Sequence, residues 1–303
     1  MRHRFLTADV FTTQRFGGNP LAVFPDARDI PEQHLLPIAR EFNYSETTFV
    51  FPPADVAHTR RVRIFTPGNE IPFAGHPTVG TAHVLAAIGE VPLLAGAETK
   101  VVLEEGVGPV QVTIVADASG TPNFAQLSVA KLPEVGPRPA IATLAEVLSL
   151  DPSDFVGGEY APEPVSCGLP WLMVPLRTRD AVRRARVNLD VWERTIKGTM
   201  GAEVMVFAME AEGPNVDIHA RVFVPGLSVP EDPATGSANA CLGGYLAART
   251  PRDNGTLRWT VEQGIEMGRP SILHVEADKE GGRITAVRVG GSTVMVSEGS
   301  MEV

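Results

Sequence analysis

Three residues of this sequence have the chemistry and surroundings needed for proton transfer. His76 precedes Pro77 at the start of an Ala-rich helical segment, and Asp232 precedes Pro233 at a matching place in the second half of the chain. If the two faced each other across a cleft, they would orient a substrate or carry a proton. A structural pair, with Asp232 capping a helix and His76 in a turn, fits the pattern equally well.

Glu46 is the third candidate. It lies where a predicted helix gives way to the strand that begins at Thr47, and its sequence neighbours include Phe42, Tyr44 and Phe49. Aromatic neighbours would shield the carboxyl group from water, and desolvation moves a carboxyl pKa toward the range that is useful for acid/base catalysis. A solvated turn glutamate is the alternative interpretation.

His76 and Asp232 correspond through an internal repeat. Residues 63–72 align with residues 221–230 at an offset of 158, and five of the ten positions are identical. A two-residue gap then brings residues 76–82 over residues 232–238. Because this offset is too long for a solenoid, the repeat predicts two similar domains related by a pseudo-twofold axis.

Each copy of the repeat predicts a strand, a Gly/Pro turn and the first turn of a helix. A helix N-terminus favours a bound carboxylate or phosphate, because its first N–H groups are unpaired and carry partial positive charge. Pro77 suits a first helical turn, and Thr235, Gly236 and Ser237 offer hydroxyl groups and an open backbone. We expect the two helix starts to hold a small anion between them, although two ordinary capped helices would have the same sequence pattern.

The rest of the chain predicts short strands with a few helices between them. Segments such as 62–65, 110–114 and 284–289 alternate with a period of two, as strands do. Helices are predicted at residues 31–42, 77–88, 140–149, 189–197 and 237–248. This order is neither regular βαβ alternation nor all-β, so the predicted fold class is α+β.

Composition excludes several classes of function. The 303 residues carry a net charge of −10 with only short basic runs, which argues against nucleic-acid binding. Cys167 and Cys241 are the two cysteines and form no Cys-x-x-Cys motif, which favours a reduced cytoplasmic protein. We expect no signal peptide, membrane-spanning helix, metal site or nucleotide loop, because their sequence patterns are missing.

Taken together, the motifs resemble those of the PhzF-like (phenazine-biosynthesis) proteins, which belong to the diaminopimelate-epimerase fold. The likeness runs from residue 9 to residue 291, and Gly75–Thr78 and Glu231–Ser237 are its most specific motifs. The other matching stretches are residues 9–12, 16–23, 45–49, 63–67, 263–271 and 289–291.

The resemblance implies two similar domains, each a curved antiparallel sheet around a central helix, with the active site in the cleft between them. We place the first domain at residues 1–128, completed by about 286–303, and the second at residues 129–285. The resemblance also implies a homodimer that needs no cofactor and no metal.

The same resemblance implies roles for individual residues. Glu46 is the catalytic acid/base that moves a proton and shifts a double bond, while His76 and Asp232 orient the substrate and relay protons. The residues implied to bind the polar groups of the substrate are Gly75, Gly236 and Ser237. The best-known activity of the family is isomerisation of trans-2,3-dihydro-3-hydroxyanthranilate, so a small carboxylate-bearing substrate of this kind is expected.

Epimerases and racemases of this fold use two cysteines, one at each helix start. Here Cys167 lies in a predicted turn and Cys241 within the second helix, so a single carboxyl group fits better than two thiols. A non-catalytic small-molecule-binding or interaction protein, and an amino-acid racemase or dehydratase, remain the alternatives. The joint presence of Glu46, His76 and Asp232 favours an enzyme. Relatives can carry other residues at Asn239, a difference that bears on the identity of the substrate.

Overall fold

The chain divides into two units in the computed structural model, which describes residues 1–227 and 229–303. One unit comprises Met1–Ser128 and Gly290–Val303, and the other comprises Val129–Val289. Ser228, one aligned position of the repeat, lies outside the described residues.

A mixed sheet forms the first unit. Its elements are β1 (Arg2–Val10), β2 (Asn19–Phe24), α1 (Glu32–Phe42), β3 (Glu46–Phe51), β4 (Arg60–Phe65), β5 (Glu70–Ile71), α2 (Gly75–Ala87), β6 (Glu98–Glu105), β7 (Gly108–Ala116), β8 (Pro122–Ser128) and β18 (Thr293–Glu302). The strands lie in the order β18-β1-β2-β3-β4-β6-β7-β8, with β5 paired back onto β4. The β2–β3 and β4–β6 pairs are parallel and the others antiparallel.

Helix α2 lies at the centre of this sheet. It packs against β1, β2, β3, β6, β7, β8 and β18, and every residue from Gly75 to Ala86 is buried. Its Gly-, Ala- and Val-rich sequence is apolar on all faces, as expected of a helix without a solvent face. On the other face of the sheet, Phe24, Phe49 and Phe65 pack under the apolar side of α1. Leu21 and Phe24 have opposite parity along β2, so this strand contributes apolar side chains to both faces of the sheet.

The second unit has its own mixed sheet. Its elements are β9 (Glu134–Val135), α3 (Ile141–Leu148), β10 (Glu163–Ser166), β11 (Pro170–Pro175), α4 (Arg179–Arg184), α5 (Leu189–Thr195), β12 (Val204–Ala208), β13 (Ile218–Val224), β14 (Val229–Asp232), α6 (Gly236–Arg249), β15 (Gly255–Gln263), β16 (Ser271–Glu280) and β17 (Arg283–Gly291). The strands lie in the order β9-β10-β11-β12-β13-β15-β16-β17, with β14 paired back onto β13. Here β11–β12 and β13–β15 are the parallel pairs.

The two units therefore have the same spatial order of strands and the same pattern of parallel and antiparallel pairs. The repeated segments 63–72 and 221–230 lie on the hairpins β4–β5 and β13–β14, and each hairpin leads into a buried helix, α2 or α6. Strand β18, from the end of the chain, has the place in the first unit that β9 has in the second. The predicted α+β class is confirmed.

The structure corrects the alignment of the two helix starts. His76 is the second residue of α2, whereas the second residue of α6 is Ser237, and Asp232 lies before that helix. The second hairpin is longer, since Ile64 pairs with Ile71 seven residues on, but Val222 pairs with Asp232 ten residues on. One of the three extra residues lies within β14, where the pairing register shifts, and the other two lie between Val224 and Val229. None lies after the hairpin, where the sequence alignment opened its gap.

Helix positions follow the predictions closely. Helices α1, α2, α3, α5 and α6 are all present, and α2 begins two residues before its predicted start, so that Gly75 and His76 belong to it. Helix α4 was not predicted, because six residues are too few to show a helical period.

A glycine inside α6 tests the close packing of the central helices. A Cβ atom on Gly243 would lie 2.6 Å from Cγ1 of Val275 and 3.4 Å from Cγ1 of Val287. We expect Gly243→Ala to lower the free energy of unfolding by about 1–2 kcal/mol, because overpacking outweighs the gain in helix propensity. Urea denaturation measures this. Gly157→Ala, whose Cβ would meet nothing within 4 Å, is the control, and equal midpoints for the two variants would contradict the packing argument.

Candidate active site

Helix α2 begins inside the first unit without a side-chain cap. Ala74, in an extended conformation, precedes Gly75, and the first turn contains no acidic residue. Pro77 is the third residue of the helix, where its missing N–H removes only a group that has no intrahelical partner. The N–H groups of the first turn thus bring partial positive charge to the place where His76 lies.

His76 is buried, with 4% of its surface exposed, and its Nε2 atom lies 3.4 Å from Oε2 of Glu46. Burial lowers the pKa of His76 to about 3, although a hydrogen bond to the backbone of Pro20 opposes the shift. A proline backbone offers only a carbonyl acceptor, so His76 donates this bond. Because Nε2 makes no hydrogen bond in the described part of the chain, the donor is Nδ1. The ring is therefore neutral near pH 7 and presents Nε2 to Glu46 as an acceptor.

Glu46 is the first residue of β3, beside Leu21 of the parallel strand β2. Its side chain is 15% exposed. The expected aromatic surroundings are only partly correct, because Phe49 has the opposite parity along β3 and stacks on Phe24 in the core. The Glu46 carboxyl group lies beside the imidazole of His76. The first unit thus brings Glu46 and Gly75–His76 together.

In the second unit, Thr235 is the N-cap of α6, and Gly236 and Ser237 are its first two residues. The first turn again has no acidic residue, and Ser237 is 9% exposed. Asp232 is not the cap itself. It ends β14, and its Oδ2 accepts a hydrogen bond of 2.5 Å from Oγ1 of Thr235. The second unit therefore places Asp232, Gly236 and Ser237 within one turn of chain.

Gln263 holds this turn in place. Its Nε2 atom donates to the carbonyl oxygen of Asp232 at 2.8 Å and to Oγ1 of Thr235 at 3.0 Å. Its Oε1 atom accepts from the amide of Thr235 at 3.2 Å and from Nδ2 of Asn239 at 3.0 Å. All four hydrogen-bonding positions of the amide are used. The hydrogen bonds from Gln263 through Thr235 to Asp232 orient the Asp232 carboxylate.

Gln263 was not among the predicted site residues, although it begins the 263–271 stretch of the resemblance. The sequence signal that could have indicated Gln263 is the glycine that follows it, Gly264. Gly264 has φ +76°, and a Cβ atom there would lie 2.6 Å from the carbonyl oxygen of Pro233. Ser271 closes the same contact by donating to that oxygen at 3.0 Å. Close approach of the two segments requires the glycine.

The remaining candidates for chemistry lie in the core. Cys167 and Cys241 are buried, and burial raises the pKa of the Cys241 thiol. Neither is at a helix start. His83, seven residues after His76 on α2, has its pKa lowered to about 4 by burial.

Among residues 1–227 and 229–303, no three His, Cys, Asp or Glu side chains are grouped as metal ligands would be. Within the same residues, no helix is long and apolar enough to cross a membrane.

The Gln263 network predicts the effect of a substitution that keeps the side-chain shape. Gln263→Glu removes both N–H donors and leaves the Asp232 carbonyl and the Thr235 hydroxyl facing a buried carboxyl group. We expect the free energy of unfolding at pH 7 to fall by about 1–3 kcal/mol. Urea denaturation measures it, with the exposed Gln111→Glu as control. A loss no greater than that of the control would show that the network does not hold the turn.

Comparison with known proteins gives a consistent result. The profile of the PhzC-PhzF family, described as phenazine biosynthesis-like protein, matches residues 8–299. An uncharacterized isomerase of Mesorhizobium japonicum is 38% identical over 302 residues, covering 98% of each chain. The trans-2,3-dihydro-3-hydroxyanthranilate isomerase of Pseudomonas aeruginosa is 33% identical, again over 98% of each chain.

A solved structure has the same fold. The phenazine biosynthesis protein of the PhzF family from Bacillus anthracis superposes with a TM-score of 0.88 at 24% identity and covers 100% of both chains. The match over residues 8–299 and the relatives that are similar along almost their whole length lead to one conclusion: the chain is an isomerase and belongs to the phenazine biosynthesis-like (PhzF) family.

Proposed function

We propose that this isomerase moves a proton, and with it a double bond, in a small carboxylate-bearing substrate, using Glu46 as a single acid/base group and no metal or organic cofactor. The observation that supports this most is the contact between Glu46 and a neutral, buried His76. A carboxyl group that faces a neutral acceptor can hold a proton and can also give it up.

The proposed steps balance in protons and electrons. Glu46, as a carboxylate, removes a proton from a saturated carbon next to a double bond. The electron pair of that C–H bond forms a new double bond, and the old double bond opens toward its far carbon. Glu46, now an acid, delivers the proton to that far carbon. The proton has changed carbon atoms, the double bond has moved, and no redox partner is required.

His76 is proposed to hold the proton on Glu46 between the two steps. When Glu46 is protonated, its O–H can donate to Nε2 of His76, and the 3.4 Å separation shortens to a hydrogen bond. Because Nδ1 is fixed on Pro20, the imidazole keeps one tautomer and one orientation. A neutral His76 also avoids stabilising Glu46 permanently as a carboxylate.

The start of α6 is proposed to bind the substrate carboxylate. Its free N–H groups and the Ser237 hydroxyl favour an anion, and the first turn holds no acidic side chain that would compete. Asp232, oriented by Thr235, is proposed to accept a hydrogen bond from an amino or hydroxyl group of the substrate. A cyclic amino acid such as trans-2,3-dihydro-3-hydroxyanthranilate, on which the Pseudomonas aeruginosa relative is named to act, has all these groups.

The alternatives have less support. A two-thiol racemase needs a cysteine at each helix start, where this chain has Gly75–His76 and Gly236–Ser237. A binding protein without catalysis needs no proton acceptor aimed at a carboxyl group. The family likeness further leads us to propose a homodimer located in the cytoplasm.

Replacing Glu46 tests the acid/base proposal. Glu46→Gln keeps the shape but cannot accept a proton, so we expect kcat on trans-2,3-dihydro-3-hydroxyanthranilate to fall by about 10²–10⁴-fold or more. Turnover of the native protein in heavy water should place deuterium on the carbon that receives the proton. Glu41→Gln, an exposed change on α1, is the control. Near-normal turnover by Glu46→Gln would refute the mechanism, and a native protein inactive on this compound would refute the substrate.

A charge at Ser237 tests the carboxylate site. An aspartate in the first turn of a helix is stabilising, but it would occupy the proposed anion position. We expect Ser237→Asp to raise KM at least about tenfold, equivalent to about 1.4 kcal/mol, while the urea midpoint does not fall. Ser237→Ala, which leaves the N–H groups in place, should change KM less. Equal KM values for the two variants would place the substrate carboxylate elsewhere.

A further inference from the structure

Glu105 is a buried carboxyl group that the proposed mechanism does not use. It ends β6, is 8% exposed, and its Oε1 atom lies 2.7 Å from Oγ1 of Thr78 on α2. Its Oε2 atom is buried and has no hydrogen-bond partner in the described part of the chain. A carboxylate in this position would keep a full charge away from water with one hydrogen bond, which is costly.

The single hydroxyl proton of Thr78 indicates the protonation state of Glu105. Oγ1 of Thr78 also lies 2.7 Å from the carbonyl oxygen of Ala74, the residue before the helix. A hydroxyl group has one proton and can donate only once. Both contacts are hydrogen bonds if Thr78 donates to Ala74 and Glu105 donates to Thr78, and this requires a protonated Glu105.

The second unit contains the same arrangement with a permanently neutral group. Asn239, the fourth residue of α6 as Thr78 is of α2, donates from Nδ2 to the N-cap carbonyl of Thr235 and to Oε1 of Gln263. Gln263 ends β15 as Glu105 ends β6. An asparagine amide has two protons and can serve both acceptors, whereas Thr78 has one, so Glu105 must supply the second.

The glycines that follow support this equivalence. A Cβ atom on Gly106 would lie 2.7 Å from Cα of Pro72, and one on Gly264 would lie 2.6 Å from the carbonyl oxygen of Pro233. Each strand end therefore approaches the proline just before its own central helix.

We propose that Glu105 is a positioning residue, held protonated, that donates through Thr78 to the carbonyl oxygen of Ala74 and so fixes the start of α2 where Gly75 and His76 lie. This inference rests on the proposed function in treating Gly75 and His76 as parts of the active site. Glu105 itself touches no substrate.

The charged neighbours of Glu105 leave it neutral near pH 7. Burial raises its pKa to about 8, and the hydrogen bond that Thr78 can donate to the carboxylate form opposes this rise. The cavity beside it is lined on β4 and β5 by Arg61, Arg63 and Glu70, and on its own strand by Glu104. Arg63 is bound by Glu32 and Glu70, so its charge is already balanced.

The other neighbours do not offset the cost of a buried charge on Glu105 either. Glu104 accepts from the amides of Ala54 and Asp55 and from His58, which hold its pKa low, at about 2. On α2 the titratable groups are His76 and His83, both kept neutral by burial. The β7 sequence, residues 108–116, contains no charged residue.

Ionisation of Glu105 should loosen the helix start. Above about pH 8, the Thr78 hydroxyl turns its proton to the carboxylate, and the Ala74 carbonyl keeps only the longer bond of 3.3 Å from the Thr78 amide. Because the unfolded chain loses this proton near pH 4.5 and the folded chain near pH 8, stability should fall as pH rises between these values.

Glu105→Gln tests the proposal, since an amide donates to Thr78 as the acid does but does not titrate. In the native protein we expect the backbone N–H signals of Gly75 and Thr78 to shift with an apparent pKa near 8, and kcat to fall above that pH. In Glu105→Gln we expect neither change, with activity at pH 6.5 kept within about threefold. Glu98→Gln, exposed on the same strand, should behave as the native protein does.

The two readouts separate the inference from the proposed function. If the Gly75 and Thr78 signals do not titrate in the native protein between pH 6 and 9, or still titrate in Glu105→Gln, the proposal is overturned whatever the activity. If the signals behave as expected but kcat shows no alkaline fall that Glu105→Gln removes, Glu105 holds the helix without serving catalysis, and that also overturns it. The Glu46→Gln variant tests the proposed mechanism independently of Glu105.

Discussion

A helix buried on every side must have the backbone polar groups of its first turn satisfied by the protein or by a bound ligand. Both central helices meet this constraint in the same way. The fourth residue, Thr78 or Asn239, reaches back to the carbonyl before the helix and outward to the residue that ends a strand. These contacts fix the two helix starts, while the N–H groups of the first turn of each helix remain available for a ligand.

Burial of this kind also sets the protonation of the site. His76 is neutral because it lies under the sheet at the start of α2, and its Nδ1–H is anchored on Pro20. A neutral acceptor beside Glu46 suits the proposed reaction, in which the carboxyl group takes a proton from the substrate and then returns it, since the imidazole itself need not become charged in a low-dielectric region. The apolar sequence of α2 thus buries His76, and burial lowers the pKa of the imidazole beside Glu46.

Much of the fold could be predicted from the sequence, because hydrophobic period and the Gly/Pro turns are local signals. The position of α2, to within two residues at its start, and the candidates Glu46 and His76 came from such signals. The partners that hold the site did not, since Glu105 and Gln263 are 27 and 28 residues from Thr78 and Thr235. The alignment of His76 with Asp232 was wrong for a related reason: the second hairpin has extra residues in its turn and in the bulged strand β14, and neither has a distinct sequence pattern.

The state of the His76 ring tests the account most directly. Long-range nitrogen–proton NMR correlation on the native protein, with His76→Asn used for assignment, reports which ring nitrogens carry protons. We expect a neutral ring protonated at Nδ1 and unprotonated at Nε2 throughout pH 5–8. A ring that titrates to the imidazolium near pH 6.5, or one protonated at Nε2, would contradict the claim that His76 acts as a neutral acceptor for Glu46.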